Sequence, residues 1–218
     1  MNLKYFLSIA FLISLLSLFG FGLMVLLVSN HSIYHFDSTV INFIQGLESP
    51  FMTSFMKLIT FLGSSVFIIL LSIGILYFLY KVLDHRSELI LFIAALIGSN
   101  ILCILLKLFF HRMRPDLHRL IEISGFSFPS GHATNAMTVY GILAFILWRN
   151  IRTKSGRSLL ILISFIMILL IGISRIYLGV HFPSDVIAGY FTGGFWISIA
   201  IWYYQRYKEK QYERKQCA

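Results

Sequence analysis

The chain contains six stretches of about twenty mainly apolar residues, the length that lets an α-helix cross the hydrocarbon core of a bilayer. They run roughly over Tyr5–Val28, Ile59–Tyr80, Leu89–Phe110, Ala133–Trp148, Leu159–Leu178 and Val186–Tyr204. The fourth is short and has to recruit residues from its flanks. Together they predict an all-α integral membrane protein, with six transmembrane helices in one bundle and a single domain over residues 1–218. Composition then works by exclusion. Hydrophobic residues make up 58% and charged residues 12%, against roughly 45–50% and about 25% in soluble proteins. So few charges cannot cover the apolar surface of a soluble fold. A soluble enzyme, a nucleic-acid-binding module and a disordered tail are excluded. The first span outlasts the core of a signal peptide and no small-residue cleavage site follows it, so it reads as an uncleaved anchor. Cys103 in an apolar run and Cys217 at the end are poorly placed to pair.

The net charge of +9 follows the lysine and arginine bias of cytoplasmic loops. With the N-terminus inside, the inner segments carry Lys4, then Lys81 and Arg86, then Arg149, Arg152, Lys154 and Arg157. The tail adds Arg206, Lys208, Lys210, Arg214 and Lys215. The first outer loop, from Ser29 to about Met56, has no lysine or arginine, and Lys57 stands alone at the edge of the second span. An even number of spans returns both termini to the cytoplasm. Five cations break the pattern: Lys107, Arg112, Arg114, Arg119 and Arg175 fall at or near the outer face. Topology asks for none there. In the first outer loop, Ile33, Phe36, Val40, Ile41, Phe43 and Ile44 have the pattern of a short interfacial helix. The loop His111–Pro129, with three arginines, is a candidate binding surface.

Three clusters on that face carry candidate chemistry. In Lys107-Leu-Phe-Phe-His-Arg-Met-Arg114-Pro115 the two cations share one helical face if the helix persists, with Pro115 stopping it. The same residues suit cations snorkelling at an interface. In Phe128-Pro129-Ser130-Gly131-His132, Ser130 is a candidate N-cap and Gly131 admits close approach of a ligand. The helix N-terminus that follows attracts an anion, to which His132 can give a proton; a turn ending in a surface histidine has the same letters. In Ser174-Arg175-Ile-Tyr-Leu-Gly-Val-His181-Phe-Pro-Ser-Asp185, burial of the Arg175 guanidinium within a span calls for a functional partner. Asp185 is placed to fix the His181 tautomer and free its other nitrogen as a nucleophile. An outer-face hydrogen bond without chemistry would use the same pair. The combined inventory of cations, helix-terminal amides, two histidines and one carboxylate suits a phosphoryl group in transfer.

Lys107-x6-Arg114-Pro115, Pro129-Ser130-Gly131-His132 and Ser174-Arg175-x5-His181-x3-Asp185 resemble the three signature motifs of the type 2 phosphatidic acid phosphatase superfamily, with no departure at any motif position. The motif-bearing core spans residues 107–185, and the six-span plan extends the resemblance to most of the chain. The resemblance implies a metal-independent phosphatase with no cofactor, acting on a phospholipid or isoprenoid (di)phosphate at the outer face of a bacterial plasma membrane. Phosphatidylglycerophosphate, undecaprenyl diphosphate and phosphatidic acid all fit. It implies that His181 becomes a phosphohistidine, that Asp185 orients it, and that His132 is the general acid. It implies further that Lys107, Arg114, Ser130, Gly131 and Arg175 hold the phosphate. The partners are then the lipid phosphate and the bilayer, with no nucleic acid and no obligate protein partner.

The acidic inventory bears on the metal question separately, since Asp37, Glu48, Asp116, Glu122 and Asp185 are scattered and a two-metal phosphatase gathers its carboxylates. A transporter of anions or lipid phosphates would use the same cations, but it should place ionisable residues towards the midplane of several spans, and Ile59–Tyr80 has none. A lipid-to-lipid phosphotransferase would use the same phosphohistidine and is left open. His31, His35, His85, His111 and His118 read as interfacial or loop residues, Arg112 and Arg119 as facing headgroups or a second phosphate, and Phe126 and Phe128 as walls of the site.

Overall fold

The computed structural model describes residues 3–81, 86–116 and 118–216. His85 and Cys217, and with Cys217 the expectation that it stays unpaired, lie outside the described residues, as do the side chains of Lys4, Arg86 and Lys215. The described chain is helical throughout its regular structure: α1 (Leu3–Ser29), α2 (Tyr34–Gln45), α3 (Pro50–Leu62), α4 (Ser65–Lys81), α5 (Arg86–Phe110), α6 (Gly131–Trp148), α7 (Lys154–Tyr177) and α8 (Pro183–Gln216). Four of these, α1, α5, α7 and α8, are singly long and apolar enough to cross a membrane, and α3 with α4 is a bent pair that meets the same criterion together. Large apolar side chains such as Leu16, Phe19, Leu70, Ile104 and Phe165 point outward, as they must where the surroundings are lipid. The protein is a multi-pass membrane protein.

The expected continuous span Ile59–Tyr80 is corrected: it breaks between Leu62 and Ser65, where the axis turns by 49°. Local chemistry sets both sides of the break. Ser49 caps α3 by accepting from the Met52 amide at 3.2 Å, with Pro50 in the first turn. Beyond Gly63, the Ser64 hydroxyl accepts from Phe67 N at 3.3 Å and starts α4. A Cβ at Gly63 would sit 2.5 Å from Ile171 Cγ2 and 3.3 Å from His132 Cδ2, so only glycine lets this corner press against α6 and α7.

The short fourth stretch gains residues at its N-terminal side and becomes α6, 18 residues long. It is not apolar enough to count as a span alone because it does not face lipid. It packs between α5, α7 and α8. Its buried threonines are satisfied within the helix: Thr134 Oγ1 donates to Ser130 O at 3.0 Å and Thr138 Oγ1 to Thr134 O at 2.8 Å. Two α8 glycines allow the contact, since a Cβ at Gly189 or Gly193 would stand 2.7 Å from the Ser130 or Thr134 carbonyl. Loop hydrogen bonds gather one end of the bundle. Ser127 N donates to Arg112 O at 2.8 Å, Leu120 N to Leu178 O at 3.1 Å and Ser130 N to Asp185 O at 2.9 Å. The last turns of α5 and α7 and the first turns of α6 and α8 therefore meet there. The expected short helix of the first loop forms as α2, burying Asp37 and Ile41.

Candidate active site

The first motif reaches the site by a different route from the one its spacing suggests. The helix does not persist to Arg114, and Pro115 does not end it. α5 stops at Phe110, His111 turns the chain out with φ 48°, and its amide closes the last turn on Lys107 O at 3.1 Å. Lys107 and Arg114 still converge, because both donate to the Phe126 carbonyl, at 2.7 Å from Nζ and 3.2 Å from Nη2. Arg114 Nε adds a bond to Gly125 O at 2.9 Å, so the loop after α5 is folded around this guanidinium.

Ser130 stands at the N-cap of α6, as expected, but its hydroxyl makes no capping bond. Its oxygen is buried and has no partner among the described residues. A Cβ at Gly131 would meet only Cys103 Sγ and Lys107 Cε, each at 3.9 Å, so packing alone does not demand glycine there. The first α6 turn thus begins beside Lys107, with its leading amides and the Ser130 hydroxyl unpaired among the described residues. His132 follows in that turn and interacts electrostatically with Arg175, His181, Arg114 and Lys107.

Arg175 is 1% exposed. Its Nη1 donates to Thr60 Oγ1 of α3 at 2.6 Å, its Nε has no partner, and no carboxylate pairs with it among the described residues. A buried guanidinium left incomplete in this way is suited to an anion. His181 lies in the turn between α7 and α8. Arg114 Nη1 donates to His181 Nε2 at 3.1 Å and to Val180 O at 2.8 Å. Arginine has no acceptor, so Nε2 carries the lone pair and Nδ1 the proton, which faces Asp185 Oδ2 at 3.4 Å. The structure thus brings together Lys107, Arg114, Ser130, Gly131, His132, Arg175, His181 and Asp185.

Two members of the site were not singled out as such in the sequence. Arg112 does not face headgroups; it is paired with two buried carboxylates, Asp185 at 2.6 Å and Asp37 at 3.0 Å. The signal for Asp37 was its spacing: it falls between Ile33 and Ile41, on the buried stripe of α2 where a fourth apolar residue would be expected. Arg119 stays outside, paired with exposed Asp116 at 2.8 Å, and His118 pairs with Glu48 at 3.0 Å. Phe128 is fully buried against Phe21 and Phe110 rather than lining an opening. Two grooves of about 1080 and 840 Å³ open at the other end, around Arg149, Tyr204 and Lys208, and contain none of the site residues. Among the described residues no three of His, Cys, Asp or Glu are grouped as a metal site.

Burial, then the positive fields of Arg175, Arg114 and Lys107, hold the His181 imidazole well below the usual histidine range. In the unfolded chain the ring takes a proton as the pH falls through about 6.5. The unfolded state therefore binds more protons below that value, and stability present above it is lost on acidification, by up to roughly 1.4 kcal/mol per pH unit. The thermal midpoint of the wild type should fall more steeply than that of His181→Asn below neutral pH. Equal slopes would show that the folded ring is readily protonated.

Comparisons with known proteins find similar sequences and a similar fold. The family model described as the PAP2 superfamily matches residues 88–209. Phosphatidylglycerophosphatase B of Bacillus subtilis is 36% identical over 152 residues, covering 67% of this chain and 72% of that protein. The lipid A 4'-phosphatase of Bacteroides thetaiotaomicron is 28% identical over 174 residues, covering 73% of this chain and 72% of the relative. Among solved structures, a transmembrane PAP2-type phosphatidylglycerolphosphate phosphatase from Bacillus subtilis superimposes with a TM-score of 0.76 at 28% identity, over 90% of this chain and 96% of that one.

Proposed function

The chain belongs to the PAP2 superfamily and is a phosphatase of lipid phosphates, and on that premise we propose that it removes the terminal phosphate of a phospholipid or isoprenoid (di)phosphate through a phosphohistidine on His181. One observation supports the reading: a buried, incompletely satisfied Arg175 shares a site with an imidazole whose Nε2 carries the ring's lone pair and is held by Arg114. Formal charge supports it. Lys107, Arg112, Arg114 and Arg175 against Asp37 and Asp185 leave two positive charges, which match the dianion of a phosphate monoester.

In the proposed reaction the phosphoryl oxygens bind Arg175, Lys107, Arg114, the Ser130 hydroxyl and the Gly131 amide, and Arg114 moves from Nε2 to the phosphate. Nε2 attacks phosphorus in line, the phosphorus–oxygen bond to the lipid breaks, and His132 protonates the departing oxygen. Asp185 holds the Nδ1 proton and stabilises the charge that develops on the ring. Water, deprotonated by His132, then attacks phosphorus, the phosphorus–nitrogen bond breaks, and inorganic phosphate leaves.

The finer placement follows from charge. Four helices and the bent pair α3–α4 have the length and apolarity of spans; with α6 taken as a further crossing, the reading is six spans that return both termini to one side. The opposite end from the site then carries Lys81, Arg149, Arg152, Lys154 and Arg157, a cation excess that supports reading that end as cytoplasmic and the site as facing the outer side of a plasma membrane. There the lipid tail stays in the bilayer while the headgroup enters. Names of relatives favour phosphatidylglycerophosphate first, with undecaprenyl diphosphate and phosphatidic acid as the remaining candidates. The test is phosphate release by purified protein from these three lipids, with chelator and with vanadate. Release from at least one, unchanged by chelator and blocked by vanadate, is expected. Activity lost to chelator and restored by a divalent cation would overturn the metal-free mechanism, and no release from any would overturn the assignment.

A further inference from the structure

We infer that Asp37 and Arg112 are positioning residues for this reaction, holding the Asp185–His181 pair from α2 and from between the motif cations; the inference rests on the reading of His181 as nucleophile. Asp37 lies outside the residues matched by the family model. It is nonetheless 2% exposed and fully engaged. Its Oδ2 accepts from Arg112 Nη2 at 3.0 Å and from the Ser184 hydroxyl at 2.6 Å, and its Oδ1 accepts from the Ser184 amide at 2.9 Å. Arg112 Nη1 in turn donates to Asp185 Oδ1 at 2.6 Å and to Ser184 Oγ at 2.8 Å, and its guanidinium stacks on the Phe182 ring at 4.2 Å.

This network decides which Asp185 oxygen faces the nucleophile. Arg112 occupies Oδ1, and Phe182 N bonds Oδ2 at 2.9 Å, which leaves Oδ2 turned to His181 Nδ1. Arginine fixes this orientation only because its planar fork is held at both tips. With Asp37 gone, one tip is loose in a site that gathers cations for a dianion, and the guanidinium has nothing to stop it turning from Asp185 to the bound phosphate. Asp37 also caps the first turn of α8, where Asp185 sits, so α2 is tied to the catalytic turn through hydrogen bonds and not by apolar contact alone.

The two consequences separate kinetically. Loss of the Asp37 charge makes the site more positive, so binding of the phosphate in the ground state does not weaken. Alignment of the imidazole does weaken, and that loss appears in the chemical step. A merely structural role would instead raise KM or lower the thermal midpoint.

The experiment uses the full-length protein with phosphatidylglycerophosphate in mixed micelles. Asp37→Asn and Arg112→Lys should each lower kcat about 10–100-fold, the range for outer partners of catalytic groups, with KM unchanged or lower. The double variant should be no worse than the poorer single, because both act through one bridge. Wild-type kcat in either folded variant, a loss confined to KM, or losses that multiply in the double variant would each overturn the inference. If Asp37→Asn does not fold, Arg112→Lys, which keeps the charge and loses the fork, decides by the same criteria. Undiminished activity of His181→Ala would remove the underlying reading, and this inference with it. An inert His181→Ala beside an unaffected Asp37→Asn removes only this inference.

Discussion

His181→Ala loses phosphate release by about 10⁴-fold or more in kcat, the scale on which removal of a nucleophile acts, while the protein still elutes as a folded species. The size of the effect comes from the division of labour in the site. In the proposed reaction the cations hold the phosphoryl oxygens and His132 transfers protons, which leaves His181 Nε2, released by Arg114, as the attacking atom. Without it no phosphohistidine forms, and water would have to attack the lipid ester directly in a site arranged for attack by the ring. The fold should survive because the deleted ring is neutral: its removal costs Arg114 one of its acceptors, while Arg114 keeps Val180 O, Gly125 O and Phe126 O. A pulse of labelled lipid phosphate should leave acid-labile label on the wild type and none on the variant. Retention of near-normal turnover, or of label, would remove His181 as the attacking group.

Arg175→Met should also abolish turnover, by about 10²–10³-fold or more, yet it should raise the thermal midpoint of the ligand-free protein. Arg175 is a buried charge with no carboxylate partner and an unsatisfied Nε, and an isolated charge in that position costs folding free energy. Methionine is close in length and needs no solvation, so the strain on the fold is relieved when the function is lost. Vanadate should stabilise the wild type by binding the folded state and leave the variant unmoved. Arg175→Lys should not rescue, because a point charge cannot hold Thr60 and an oxyanion together as a fork does. A midpoint that falls in Arg175→Met would mean that the Thr60 bond is structural and that the anion-site reading of Arg175 is wrong.

Much of the site was legible in the sequence because its members sit at helix ends with unusual chemistry for their depth. Arg175 in an apolar run and His181 four residues before Asp185 need no tertiary knowledge to stand out. Less legible was how they meet. Lys107 and Arg114 would share a face only if the helix persisted; a left-handed turn at His111 ends it, and a shared carbonyl reunites the pair. Ser130 occupied the expected cap position without making a capping bond, and its buried hydroxyl has no partner among the described residues. Arg112 could not be told from a headgroup-facing cation, because an arginine beside a membrane looks the same whether or not two buried carboxylates await it.

Local patterning alone determined that the chain is helical and membrane-embedded, and where three groups of polar residues interrupt the apolar stretches. Apolar length and residue identity are properties of neighbours in the chain, and they survive any choice of packing. Packing decided the rest: the bend at Gly63 that delivers Thr60 to Arg175, the enclosure of α6 away from lipid, and the recruitment of Asp37 to Arg112 across 75 positions. Those depend on which donors and acceptors remain unsatisfied once the helices have met, a quantity that does not exist until they have.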